Sequence, residues 1–131
     1  MTPALSGCRV LVVEDEFFLA LELEDELSRA GAEVIGPIPD LGEASRQIRA
    51  DGFDIAVLDI NLGGTLVYPL ADELAAAEIP FLFASAYPAS DIPVRHRQRR
   101  LVEKPYSLAS LVEALAELAG RRPIRNAAPR T

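Results

Sequence analysis

Cysteine is almost absent: Cys8 is the only one among 131 residues, which excludes an internal disulfide and any cysteine-rich metal site. Its place at the start of an apolar run makes it a small core residue. No stretch of about 18 apolar residues occurs, so the sequence offers no membrane-spanning helix. Met1 to Gly7 lack the basic start and apolar core of a signal peptide, and a cytoplasmic location is expected. Lysine is nearly missing too. Of the 13 Lys and Arg residues only Lys104 is a lysine, which marks it as a spot where a compact point charge is wanted. There is no internal repeat, no glycine-rich phosphate loop and no Ser-His-Asp spacing.

What is present is globular: 50% apolar and 25% charged residues, enough for one core and too few residues for two. The net charge of −7 is unevenly spread, with 17 acids against 4 bases through Asp91 and 3 acids against 9 bases from Ile92 onward. The acidic part argues against general nucleic-acid binding, while the basic end leaves a local contact open.

Asp54-Ile-Ala-Val-Leu-Asp59 is an apolar, β-branched run bounded by acids, with Gly52 before it and Asn61, Gly63 and Gly64 after. It reads as a strand buried on both faces in a parallel sheet. Asp59 then stands at the strand's C-terminal end, where open α/β sheets place their ligand crevice. The alternative is a plain loop cap, a common use of Asp. Arg9 to Val13 is a similar run, ending in Glu14-Asp15. If the two strands are adjacent and parallel, three carboxylates meet at one sheet edge, and they stay ionised together only around a cation. Oxygen ligands and few carboxylates suit Mg²⁺.

Along the chain, residues 1–7 read as an N-terminal tail, 8–120 as one domain and 121–131 as a flexible C-terminal tail. Glu16 to Ala30 is helical, with Phe17, Ala20, Leu21, Leu23 and Leu27 expected inward and Glu22, Asp25 and Glu26 outward. Phe18 and Leu19 widen the stripe and are expected in the core, although an exposed Phe18 would make a docking patch. A strand over 32–38 carries Pro37, a mark of an edge position. Asp40 caps a helix over 41–50, with Ala44 and Ile48 inward. Asn61 to Thr65 is a loop, and 66–78 a helix with Leu70, Leu74 and Ala77 inward. Pro80 to Ala84 is the fourth strand, followed by Ser85, Ala86 and Tyr87. Residues 91–97 make one or two poorly formed helical turns, and 100–103 a fifth strand ending in Lys104-Pro105. Ser107 caps a last helix over 108–119, with Leu111, Leu115 and Leu118 inward. The expected architecture is a doubly wound five-stranded parallel sheet with five helices.

The acidic pair, the central Asp, the hydroxyl and the Lys-Pro, in that order at four strand ends, resemble the receiver domain of two-component response regulators, over about Gly7 to Gly120. The resemblance implies the flavodoxin-like, CheY-like fold with strand order 2-1-3-4-5. It implies that Asp59 is the phosphoacceptor, that Glu14, Asp15, Asp59 and the backbone carbonyl of Asn61 hold Mg²⁺, and that Ser85 and Lys104 serve the phosphoryl group. It also implies a cis Lys104-Pro105 bond.

Pro80-Phe-Leu-Phe-Ala-Ser-Ala-Tyr87 further resembles the subfamily named for a Phe-Ala-Thr-Gly-Tyr stretch (FAT GUY), with Ser85 for Thr and Ala86 for Gly. Leu101 stands three residues before Lys104, where typical receivers carry a switch Tyr or Phe, and Tyr87 is the candidate replacement. His96, within Arg95-His-Arg-Gln-Arg-Arg100, is expected to be solvated.

Three functions are compatible with these residues. The first is a stand-alone response regulator, phosphorylated by a histidine kinase or a histidine phosphotransfer protein. Eleven residues after Gly120 are too few for a DNA-binding module, so output is expected through a partner protein. The second is a pseudo-receiver that binds a protein through Phe17 and Phe18 without phosphorylation. The third, a metal-dependent phosphohydrolase, lacks a general acid or base near Asp59, since Leu62 and Gly63 follow it.

Overall fold

The computed structural model describes residues 3–50, 52–86 and 88–120. Tyr87, the candidate switch aromatic, and the tail 121–131 lie outside the described residues.

Five strands, β1 (Arg9–Val13), β2 (Glu33–Ile38), β3 (Ile55–Leu58), β6 (Phe81–Ser85) and β7 (Leu101–Glu103), form one parallel sheet in the order β2-β1-β3-β6-β7. This is the doubly wound, flavodoxin-like arrangement, with β1, β3 and β6 central. Successive residues of a strand point to opposite faces, which divides the core in two. Leu11, Val13, Ala56, Leu58, Phe81 and Phe83 pack under α2 (Leu41–Ala50) and α3 (Tyr68–Ala76). Val10, Val12, Ile55, Val57, Leu82 and Ala84 pack under α1 (Phe17–Arg29) and α4 (Leu108–Gly120). Each large apolar side chain buried in these layers contributes about 1.5–3 kcal/mol.

The caps follow sequence. Asp40 Oδ2 accepts from Glu43 N at 2.9 Å, and Ser107 Oγ from Ser110 N at 3.0 Å. Pro69 falls in the first turn of α3, where its missing N–H is harmless. Pro37 lies in the edge strand β2. Asp54 Oδ2 accepts from Arg9 N at 2.9 Å, fastening β3 to β1 at the end away from Asp59.

Several expectations need correction. Helix α1 buries Ala20, Leu23 and Leu27, while Phe17 (67%), Phe18 (74%) and Leu21 are exposed. Within the first turn only Ala20 is buried, and the rings of Phe17 and Phe18 pack edge-on against each other at 5.3 Å on the outside of the helix. Ala77 lies beyond the end of α3 and is exposed; Ile79 turns back into the core instead, its N–H bonding Leu74 O at 3.0 Å. Leu5, assigned to the tail, is buried and bonds Ala30 O through its N–H. Leu118 packs against the core as expected, although it is only half-buried.

The loop after Asp59 is a two-stranded hairpin, β4 (Asn61–Leu62) and β5 (Thr65–Leu66). Gly63 (φ 58°) and Gly64 (φ 98°) supply the two positive φ angles that a tight two-residue turn requires. A fifth α-helix does not form among the described residues; the stretch after β6 makes two 3-10 turns, Ala89–Asp91 and Val94–His96. His96 is not solvated but 3% exposed, because this segment folds back across α3 and β6.

Candidate functional site

Parallel pairing brings the C-terminal ends of β1, β3, β6 and β7 to one edge, and the predicted residues go with them. Asp59 N donates to Val13 O at 2.9 Å, setting Asp59 beside Glu14. Lys104 N donates to Ser85 O at 2.8 Å, joining the third and fourth strand ends. Glu14 (3% exposed), Asp59 (7%) and Ser85 (1%) are buried, whereas Asp15 is exposed. One carboxylate oxygen each from Glu14, Asp15 and Asp59 lie within 4.8 Å of one another. Asp15, Asp59, Asn61, Gly63, Ser85 and Lys104 line a depression of about 340 Å³.

Lys104 is the cation among these acids. Its Nζ lies 3.2 Å from Asp59 Oδ2 and 3.3 Å from Glu14 Oε1. Burial disfavours its charge, but Asp59 and Glu14 outweigh this and raise its pKa. One lysine does not balance the group. Glu14 is pushed up to about 7, first by burial and then by the charge of Asp59, against the opposing hydrogen bond that its Oε2 accepts from Glu16 N.

Asn61 N reaches Asp59 Oδ1 at 3.3 Å, and its side-chain Oδ1 accepts from Gly64 N at 2.7 Å. The amide side chain is thus committed to the hairpin. A Cβ added at Gly63 would stand 3.5 Å from Asp15 Oδ2, an ordinary contact, so the positive φ rather than want of room favours glycine beside the acids. The Lys104-Pro105 bond is cis.

Two neighbours escaped the sequence reading. Glu16 places Oε2 3.8 Å from Lys104 Nζ, a third carboxylate around the lysine; a third consecutive acid was the available signal. Tyr106 carries a buried hydroxyl without a hydrogen-bond partner, and burial followed by Glu14 and Asp59 raises its pKa. With Glu16, Leu19, Ala86, Lys104 and Pro105 it lines a second hollow of about 390 Å³ beside the site. Nothing in the sequence singled it out.

No family model matches the chain. SdrG from Sphingomonas melonis Fr1 is 36% identical in sequence, with a TM-score of 0.74 over 88% of this chain and 97% of SdrG. The chain belongs to the response-regulator receiver family. The receiver fold itself recurs in the PhyR response regulator REC domain of Erythrobacter litoralis, with a TM-score of 0.78 at 21% identity, covering 98% of each chain. Among curated proteins, the transcriptional regulatory protein PdtaR of Mycobacterium tuberculosis is 29% identical to this receiver over 118 residues. That match takes in 87% of this chain and 57% of PdtaR, so the chain spans little more than half the length of the curated relatives it matches. As a receiver it is a component of a two-component system. Among the described residues no helix is long and apolar enough to cross a membrane.

Proposed function

We propose that the chain is a stand-alone response regulator of the FAT GUY type that accepts a phosphoryl group on Asp59 from the phosphohistidine of a kinase or phosphotransfer protein. The observation that carries this reading is the contact of Lys104 Nζ with Asp59 Oδ2 at 3.2 Å inside a ring of acids. An Asp59 oxygen attacks phosphorus, the P–N bond of the donor imidazole breaks, and its electron pair returns to nitrogen. Lys104 then transfers its contact from the carboxylate to a phosphoryl oxygen, and the Ser85 hydroxyl donates to another.

The donor set fits Mg²⁺: all oxygens, three carboxylates within 4.8 Å, and a Glu14 carboxyl held high by burial and then by the charge of Asp59. Glu14, Asp15, Asp59 and the Asn61 carbonyl would hold the ion, which when bound neutralises charge on phosphoryl oxygens. The chain's own part is positioning. Output as a phosphorelay component or a protein–protein switch, in the cytoplasm and without nucleic acid or membrane, completes the reading.

Incubation with acetyl phosphate and Mg²⁺, read by intact mass, tests it. One phosphoryl group on the wild type and none on Asp59→Asn is expected; equal labelling of both would refute it. A second reading, a protein-binding module that works without phosphorylation, is favoured by the exposed Phe17–Phe18 pair on α1, whose rings meet edge-on at 5.3 Å. It requires that wild type stay unlabelled in the same experiment.

A further inference from the structure

His96 is the chain's only histidine, and its ring is boxed by three others: Tyr68 at 6.3 Å, Phe81 at 6.0 Å and Phe83 at 6.1 Å between centroids. Its Nε2 lies 2.6 Å from Asp72 Oδ1, and Asp72 also accepts from Arg95 Nε at 2.8 Å and Nη2 at 3.0 Å. Its Nδ1 is buried without a partner. The box spans two segments that both leave the site. Tyr68 and Asp72 belong to α3, reached from Asp59 through the β4-β5 hairpin, and Phe83 lies two residues before Ser85 on β6.

Between residues 88 and 100 only Ile92 and His96 are buried, and the backbone makes two short turns in place of a helix. These two plugs anchor its middle, while Arg99 over the Phe81 ring at 4.4 Å and Arg100 paired with Glu117 at 2.8 Å tie down its far end. One of the plugs, His96, pays a desolvation penalty for an unmatched ring nitrogen. A segment with so few buried side chains is drawn from the low-stability end of a fold.

We infer that His96, anchored by Asp72, is the positioning residue through which a change at Asp59 and Ser85 reaches residues 88–100, the imidazole leaving its aromatic box when the site is occupied. The position that faces Phe83 across the sheet, Leu101, carries no aromatic to do this. The inference rests on the phosphoacceptor reading of Asp59. It has a reciprocal consequence: if occupancy opens the box, weakening the box must tighten occupancy by the same factor.

Beryllofluoride with Mg²⁺, as a phosphoryl analogue, supplies the test on the full chain by NMR, with the single imidazole as an unambiguous reporter. In wild type its ring carbon-bound proton signals should shift as the site fills. Asp72→Asn, which keeps an oxygen acceptor for the imidazole and does not line the Asp59 depression, should bind the analogue about fivefold more tightly. A pair that merely stabilises the fold would leave that affinity unchanged. Imidazole signals that stay fixed while the Asn61 and Lys104 amides shift would overturn the inference and leave the phosphoacceptor reading standing. If no resonance moves at saturating analogue, the phosphoacceptor reading fails and the inference falls with it.

Discussion

Two clusters of carboxylates and cations, one at the Asp59 edge and one around Asp72, use the same hydrogen bonds to opposite ends. At the edge, buried acids outnumber their one lysine, and Glu14 is held up at about 7 by burial and then by the charge of Asp59. Around Asp72 a half-exposed acid meets a two-pronged arginine and an imidazole, and hydrogen bonds from Arg95 first, then His96, pull it down to about 2. The second cluster is electrically complete. The first lacks positive charge, and that deficit is what the cation and the phosphoryl group of the proposed function would fill.

The contrast breaks most sharply at Lys104. Lys104→Met removes the only cation of the edge among the described residues, and phosphorylation by acetyl phosphate should slow roughly hundredfold, measured by the rate of mass gain. The next largest effect concerns Glu14. Its folded pKa stands above its ordinary value of 4.5, so the folded state holds a proton that the unfolded state releases. In EDTA, stability should therefore fall as pH rises from about 4.5 to 7, and Mg²⁺ should restore it above pH 7. Glu14→Gln should abolish this fall and most of the Mg²⁺ response. In EDTA at pH 8 it should melt about 3–6 °C higher for each ~1 kcal/mol of relieved repulsion. A wild type whose stability ignores both pH and Mg²⁺ in that range would place the two clusters on the same footing.

The edge was legible because its residues are punctuation: acids, a hydroxyl and a lysine each interrupting an apolar run, with parallel pairing left to gather them. The buried face of α2, Ala44 and Ile48, followed from periodicity in the same way, while the sheet order came from the family resemblance. Helix α1 did not, since Phe17, Phe18, Leu19, Ala20 and Leu21 are consecutive and apolar on every side. Only the rotation of the helix on the sheet, which buries Ala20, Leu23 and Leu27, decides that Phe17 and Phe18 face solvent. His96 was misread for a related reason. Its neighbours in sequence are arginines, and its true surroundings arrive from α3 and β6, with Asp72 lying 24 residues away. Local charge said surface, and long-range aromatic packing overruled it. The Gly63-Gly64 pair did announce a turn, but strands of two residues leave too little alternation to read.

The smallest expected effect belongs to the complete cluster. Because Asp72 is depressed in the folded state, its contribution is present above about pH 3.8 and lost only as pH falls toward 2. About half of its side chain is exposed, so solvent screening limits that contribution to below about 1 kcal/mol. Asp72→Asn should accordingly shift the urea midpoint slightly at pH 7, while the mutant and wild type converge near pH 2. The same substitution should speed amide exchange locally between residues 88 and 100 and leave β1 and β3 as protected as before. A global rise in exchange would mean that the Asp72 cluster supports the whole fold, and the contrast with the Asp59 edge would then be one of degree.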